Sequence, residues 1–195
     1  MSATELIAKI NLGIHHRYSH QQMELAEMNE EMNVPFSRYE DNENLVIIRP
    51  KDDERDSLWA CFSDVICRDI ADYILFKIIN NEVICFIIEL KKAKTSNNVT
   101  KATNQILSTH PLVNMIFEKT TGENAKDLKT IGIRIFGPGN KSQTKVSKNE
   151  KRKIPIHLAK ENEHLAIGHF IQNNQSESLT SLSHFYTDCK QLFTN

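Results

Sequence analysis

Several things are scarce in this chain. Its 195 residues include four cysteines, six glycines, five prolines and one tryptophan. Cys61, Cys67, Cys85 and Cys189 form no tight pairs of the kind a zinc site needs, and two lie in apolar runs. They read as reduced, mostly buried thiols, which fits a cytoplasmic protein. No apolar run approaches the roughly 18–20 residues of a membrane helix. The opening "MSATELIAKI" lacks a secretory apolar core and a cleavage site, so the expectation is a cytoplasmic protein without a membrane partner. Glycine is too sparse for a phosphate loop, since "GPGNKS" lacks the Walker spacing. No internal repeat and no nucleophilic serine or cysteine arrangement is present.

What is there suits one compact domain with a full core. The balance of 39% hydrophobic and 25% charged residues places the chain among globular proteins and excludes wholesale disorder. Net charge is −1, but it is unevenly spread: residues 1–56 hold 6 Lys+Arg against 12 Asp+Glu, and the remainder holds 18 against 13. An acidic leading segment precedes a moderately basic body, and local field matters more to a polyanion than the total.

Ser2 and Glu5 stand at capping-box spacing. Behind them Ile7, Ile10, Ile14, Tyr18, Gln21, Leu25, Met28 and Met32 recur every three or four residues, which predicts an amphipathic helix running toward Pro35, interruptible at Gly13. "NLVIIRP" predicts a short strand; "SLWACFSDVIC" suits either a short helix or an extended segment. "NNVTKATNQILSTHPLVNMIFEK" predicts a helix broken or kinked at Pro111, "TIGIRIFGPG" a strand and "IPIHLA" a short strand. The tail from Glu161 predicts two helical patches joined by "QNNQSES". The order gives a mixed α/β sheet with helices over it.

The strongest local signal is "YILFKII" and "EVICFIIEL" with Asn80-Asn81 between them. Asn tolerates positive φ, so the pair predicts a two-residue hairpin turn between strands apolar on both faces. Counting back from that turn sets Ile79 opposite Glu82, Phe76 opposite Cys85 and Asp72 opposite Glu89. Directly opposed residues have Cβ atoms roughly 4.5–5.5 Å apart, so two carboxylates meet at the end of a buried hairpin, with Lys91 on the same face. Such a meeting is unfavourable unless something compensates. A divalent cation does so directly, because Mg²⁺ takes hard oxygen ligands and often binds through one or two carboxylates plus phosphate.

With "ADYILF" supplying Asp72 and "FIIELK" supplying Glu89 and Lys91, the chain resembles the PD-(D/E)xK nucleases, or restriction-endonuclease-like fold, over roughly residues 1–158. Alanine stands where that family's motif places proline before the aspartate. The resemblance implies an α/β fold with a restriction-endonuclease-like mixed sheet and flanking helices, and a helical C-terminal addition over 159–195 packed on the core. It implies a Mg²⁺- or Mn²⁺-dependent endonuclease that hydrolyses phosphodiesters, DNA before RNA, in a bacterial anti-phage or restriction setting. Asp72, Glu89 and the Leu90 carbonyl would hold the metal, Lys91 would orient the water, and Gln105 would supplement them from a helix. A first-helix acid would come from Glu24, Glu27 or Glu31.

Plainer readings stand beside these. Glu89 and Lys91 also suit a strand end reaching water, Asp69 could replace Asp72, and Gln105 is compatible with an ordinary helix position. His16 and His20, four apart, suit a solvated helix better than a metal. Lys92, Lys94 and Lys101, and the run Lys141, Lys145, Lys148, Lys151, Arg152 and Lys153, fit nucleic-acid backbone contact, or for the run a solvated loop. A second function class is a non-catalytic subunit docking on a larger helicase or ATPase. Double-strand cutting by so small a domain would call for a homodimer.

Overall fold

The computed structural model describes residues 1–13, 24–27, 32–35, 45–49, 70–137, 157–158, 164–172, 179 and 181–193. Helix α1 spans Ala3–Gly13, and its start is closed as the sequence predicts: Glu5 N–H donates to Ser2 Oγ at 3.3 Å and Ser2 N–H to Glu5 Oε2 at 2.8 Å. The expected long helix does not reach 24–35, where the described residues form strands. Strands β1 (Glu24–Glu27) and β2 (Met32–Pro35) pair antiparallel, with Leu25 opposite Val34. A three-to-four spacing of apolar residues also fits two short strands from which Leu25 and Val34 reach the core.

The main sheet has six strands in the order β3-β4-β5-β6-β8-β7. They are β3 (Leu45–Ile48), β4 (Tyr73–Ile79), β5 (Glu82–Lys91), β6 (Lys129–Phe136), β7 (His157–Leu158) and β8 (Leu165–Ile171). Strand β4 pairs antiparallel with β3 on one side and β5 on the other, β5, β6 and β8 run parallel, and β7 returns antiparallel on β8. The first tail patch, expected as helix, is therefore β8, and the sheet extends past residue 158. Its sequence "LAIGHFI" is apolar on both faces, as a strand between two others must be.

The β4–β5 turn is as read. Asn80 and Asn81 have φ of 52° and 63°, the left-handed pair that matches strand twist, and Ile79 faces Glu82 while Phe76 faces Cys85.

Helix α2 (Ser96–Thr121) carries the chain from β5 to β6. Thr95 caps it by accepting from Asn98 N–H at 3.2 Å, and Gly122, at φ 78°, ends it by donating to the Glu118 carbonyl at 2.9 Å. Pro111 lies inside this one continuous helix and does not break it. Together α1 and α2 cover one sheet face, packing Ile7, Ile10, Ile106, Val113 and Phe117 against Ile74, Phe76, Cys85 and Ile87. The contact is close at Gly132, where an added Cβ would lie 2.5 Å from Ile106 Cγ2. The other face is covered by helix α3 (Leu182–Cys189) and by Leu25 and Val34, over Leu75, Phe86, Ile88, Ile131 and Ile133. Glu82 ties α3 to the hairpin, accepting from Lys129 Nζ at 2.7 Å and Tyr186 Oη at 2.8 Å. Hydrogen bonding from Lys129 holds the Glu82 carboxyl below its ordinary range.

Candidate functional site

Strand pairing between β4 and β5 ends at Tyr73 opposite Ile88. Asp72 and Glu89 are the next step of the same register, so the turn twenty backbone atoms and more away decides that they meet. How they meet is specific. Asp72 N–H donates to Glu89 Oε2 at 3.0 Å, while Leu90 N–H donates to Asp72 Oδ2 at 2.8 Å. The two acids are thus cross-laced through each other's strand. Lys91 Nζ donates to Glu89 Oε1, which places the ammonium on the face predicted for it. All three side chains are buried: Glu89 is 0% exposed, Asp72 2% and Lys91 7%. A strand end simply reaching water would leave them wet, so that plainer reading does not describe this site.

Helix α2 closes one side. Gln105 Nε2 donates to the Ile70 carbonyl at 3.3 Å, and Ala71 N–H donates to Thr109 Oγ1 at 2.8 Å, so the segment entering Asp72 hangs on two successive turns of the helix. Gln105 is buried, and its Oε1 has no hydrogen-bond partner among the described residues. An acceptor buried without a donor is costly, and a water held at the site would satisfy it.

One row of the sheet continues from the acids. In the parallel pairs Glu89 faces Arg134 on β6, and Arg134 faces His169 on β8. Neither Arg134 nor His169 was singled out from sequence. A lone arginine inside the apolar "IGIRIF" was the available signal for the first; the second was hidden because its strand was read as helix.

The remaining expected residues scatter. Lys92, Lys94 and Lys101 are exposed around the start of α2, and Lys94 Nζ lies 3.5 Å from His169 Nε2. Glu24 and Glu27 are the first and last residues of β1, not positions on a helix. Glu31, Asp69, His16, His20, the "SLWACFSDVIC" segment, and Lys141, Lys145, Lys148, Lys151, Arg152 and Lys153 lie outside the described residues.

The donor set suits a hard divalent cation. Among the described residues no three His, Cys, Asp or Glu side chains converge, and Asp72 and Glu89 are the two carboxylates that meet. That number suits Mg²⁺ or Mn²⁺, which retain waters and take substrate oxygens for the rest of their shell. A cleft of about 250 Å³ lies instead at the turn end of the hairpin, lined by Ala3, Asn81, Glu82, Phe117 and Lys129, and does not touch the acids. No helix among the described residues is long and apolar enough to cross a membrane. Searches against protein-family models, curated proteins and solved structures give no match.

Proposed function

We propose that the chain is a metal-dependent nuclease that hydrolyses phosphodiester bonds, DNA before RNA, with Asp72, Glu89 and Lys91 as its centre. The observation that carries this reading is the cross-laced pair: two buried acids joined through Asp72 N–H and Leu90 N–H, with Lys91 on one of them. Buried like charges repel, so a fold that fixes them this firmly has a use for their combined charge. Asp72, Glu89 and the Leu90 carbonyl would hold Mg²⁺ or Mn²⁺, which when bound acidifies a water and neutralises charge on the phosphoryl group.

The chain's own residues supply the rest. Hydrolysis forms a bond from water oxygen to phosphorus and breaks the bond to the leaving ester oxygen, which takes up a proton. Lys91 donates hydrogen bonds and positive charge where the attacking oxygen and the non-bridging oxygens gather negative charge. Glu89 Oε1 aims the ammonium there, and Gln105 orients the water through Oε1. Lys92, Lys94 and Lys101, all exposed, extend a cationic rim for backbone phosphates.

With Mg²⁺ or Mn²⁺ the purified protein cuts plasmid or single-stranded DNA, and Lys91→Ala abolishes cutting while circular dichroism shows the fold intact. Equal cutting by the variant refutes the assignment. A non-catalytic subunit is separated by Mn²⁺ titration: binding lost in Asp72→Ala supports the enzyme, and no binding by the parent supports the subunit.

A further inference from the structure

Arg134 is a buried cation that the chemistry above leaves unused. It is 6% exposed and lies opposite Glu89 in the β5–β6 pair, yet it forms no ion pair with that carboxylate or with any other among the described residues. Its guanidinium turns away instead. Nε donates to the Gly168 carbonyl at 3.4 Å and Nη1 to Thr103 Oγ1 at 3.0 Å. Two of its five N–H donors are thereby used, both on neutral acceptors. Taking a guanidinium out of water without a counter-charge is costly, and desolvation lowers the Arg134 pKa accordingly.

Its surroundings add more positive character. His169, 9% exposed, is the next residue along the same row. The His169 ring packs edge-on to Phe136 with centroids 6.3 Å apart, and its Nε2 faces Lys94 Nζ at 3.5 Å. Lys94 likewise has no carboxylate within ion-pair reach among the described residues. Two permanent cations and an imidazole therefore gather beside the start of α2, Arg134 and His169 on one sheet row and Lys94 in the segment leading from β5 to α2. An anion seated among them would offset the desolvation of Arg134.

We propose that Arg134, Lys94 and His169 form a second anion subsite, which takes the phosphodiester group neighbouring the one at Asp72, Glu89 and Lys91. The identity of that anion as a substrate phosphate rests on the nuclease reading; the subsite itself does not. Arg134 and His169 stand one and two strands from Glu89, at about 4.8 Å per strand, which keeps both groups within one short stretch of nucleic-acid strand. A guanidinium fork beside an ammonium is the donor set that phosphate oxygens take up bidentately.

The test uses inorganic phosphate, titrated into the full chain without divalent metal and followed by calorimetry and ³¹P line broadening. The parent binds phosphate in the millimolar range. Arg134→Lys keeps the charge but not the fork and weakens binding by about tenfold; Lys94→Gln, at an exposed residue, weakens it by about threefold. No binding by the parent, or unchanged affinity in both Arg134→Lys and Lys94→Gln, overturns the proposal. Should Arg134→Lys fail to fold, Lys94→Gln decides it alone. The two readings fail separately. Phosphate binding that follows this pattern in a protein that cuts nothing sinks the nuclease reading and keeps the subsite. Lys91-dependent cutting with phosphate affinity indifferent to Arg134 and Lys94 does the reverse. In a cutting protein, Lys94→Gln raises KM for an oligonucleotide and leaves kcat unchanged.

Discussion

Removing Lys91 should cost stability through the carboxylate it leaves behind. Lys91→Met keeps the aliphatic stem and deletes the ammonium that sits on Glu89 Oε1, at a residue 7% exposed beside one that is 0% exposed. Breaking a buried pair by removing one partner typically costs about 3–5 kcal/mol. The lower end applies here, because Glu89 Oε2 still accepts from Asp72 N–H at 3.0 Å. About 3 kcal/mol in a domain of this size is a fall in Tm of about 6–12 °C. Neutralising the acid as well should recover most of it. Glu89→Gln retains an oxygen for Asp72 N–H, so the double variant should lie within about 1 kcal/mol of the parent, giving a coupling of at least about 2 kcal/mol. Urea denaturation of the four proteins without divalent metal measures this directly. Additivity within about 0.5 kcal/mol would show that the buried pair does not govern the energetics of the site.

Two further expectations concern the scaffold. Gly132→Ala forces a methyl group to 2.5 Å from Ile106 Cγ2 and should destabilise by about 1–3 kcal/mol, partly recovered by adding Ile106→Ala; a neutral Gly132→Ala in urea denaturation would contradict the close packing of α2 on β6. His110 is buried on α2, and desolvation, then the charge of His164, hold its pKa below 6.5. The unfolded chain therefore binds the proton that the folded chain refuses, so this contribution is complete above about pH 6.5 and is lost as pH falls below it. Urea midpoints measured from pH 7.5 to 5.5 should fall more steeply for the parent than for His110→Gln; parallel curves would exclude His110 as the cause.

Much of the site was legible because one turn carries it. Asn80 and Asn81 announce a two-residue loop, and a fixed register then places Asp72 against Glu89 and Lys91 beside it without further information. Gln105 was legible as a helix residue near the acids, but its grip on the Ile70 carbonyl depends on how closely α2 approaches the sheet at Gly132, a tertiary fact. Arg134 and His169 join the row only through the order β5-β6-β8, which no local pattern encodes. The failures share a cause as well. In β1, β2 and β8 the runs are short, and apolar spacing over four to seven residues does not separate strand from helix. Glu24 and Glu27, expected on the first helix, thus stand at the ends of a strand, and the expected helical tail supplies a sheet strand.

The hairpin makes the position of the acids depend on counting. Side chains alternate faces along a strand, so one residue added to or removed from the loop at Asn80 and Asn81 would shift every partner of β4 against β5 by one place. Hydrophobic burial would object little, since both strands are apolar on both sides. The charges would object strongly: Asp72 and Glu89 would be left facing opposite layers of the protein. Loop length at the far tip of this ribbon is thereby a switch on chemistry some eight residues distant, and length changes there should be far more damaging to activity than to folding.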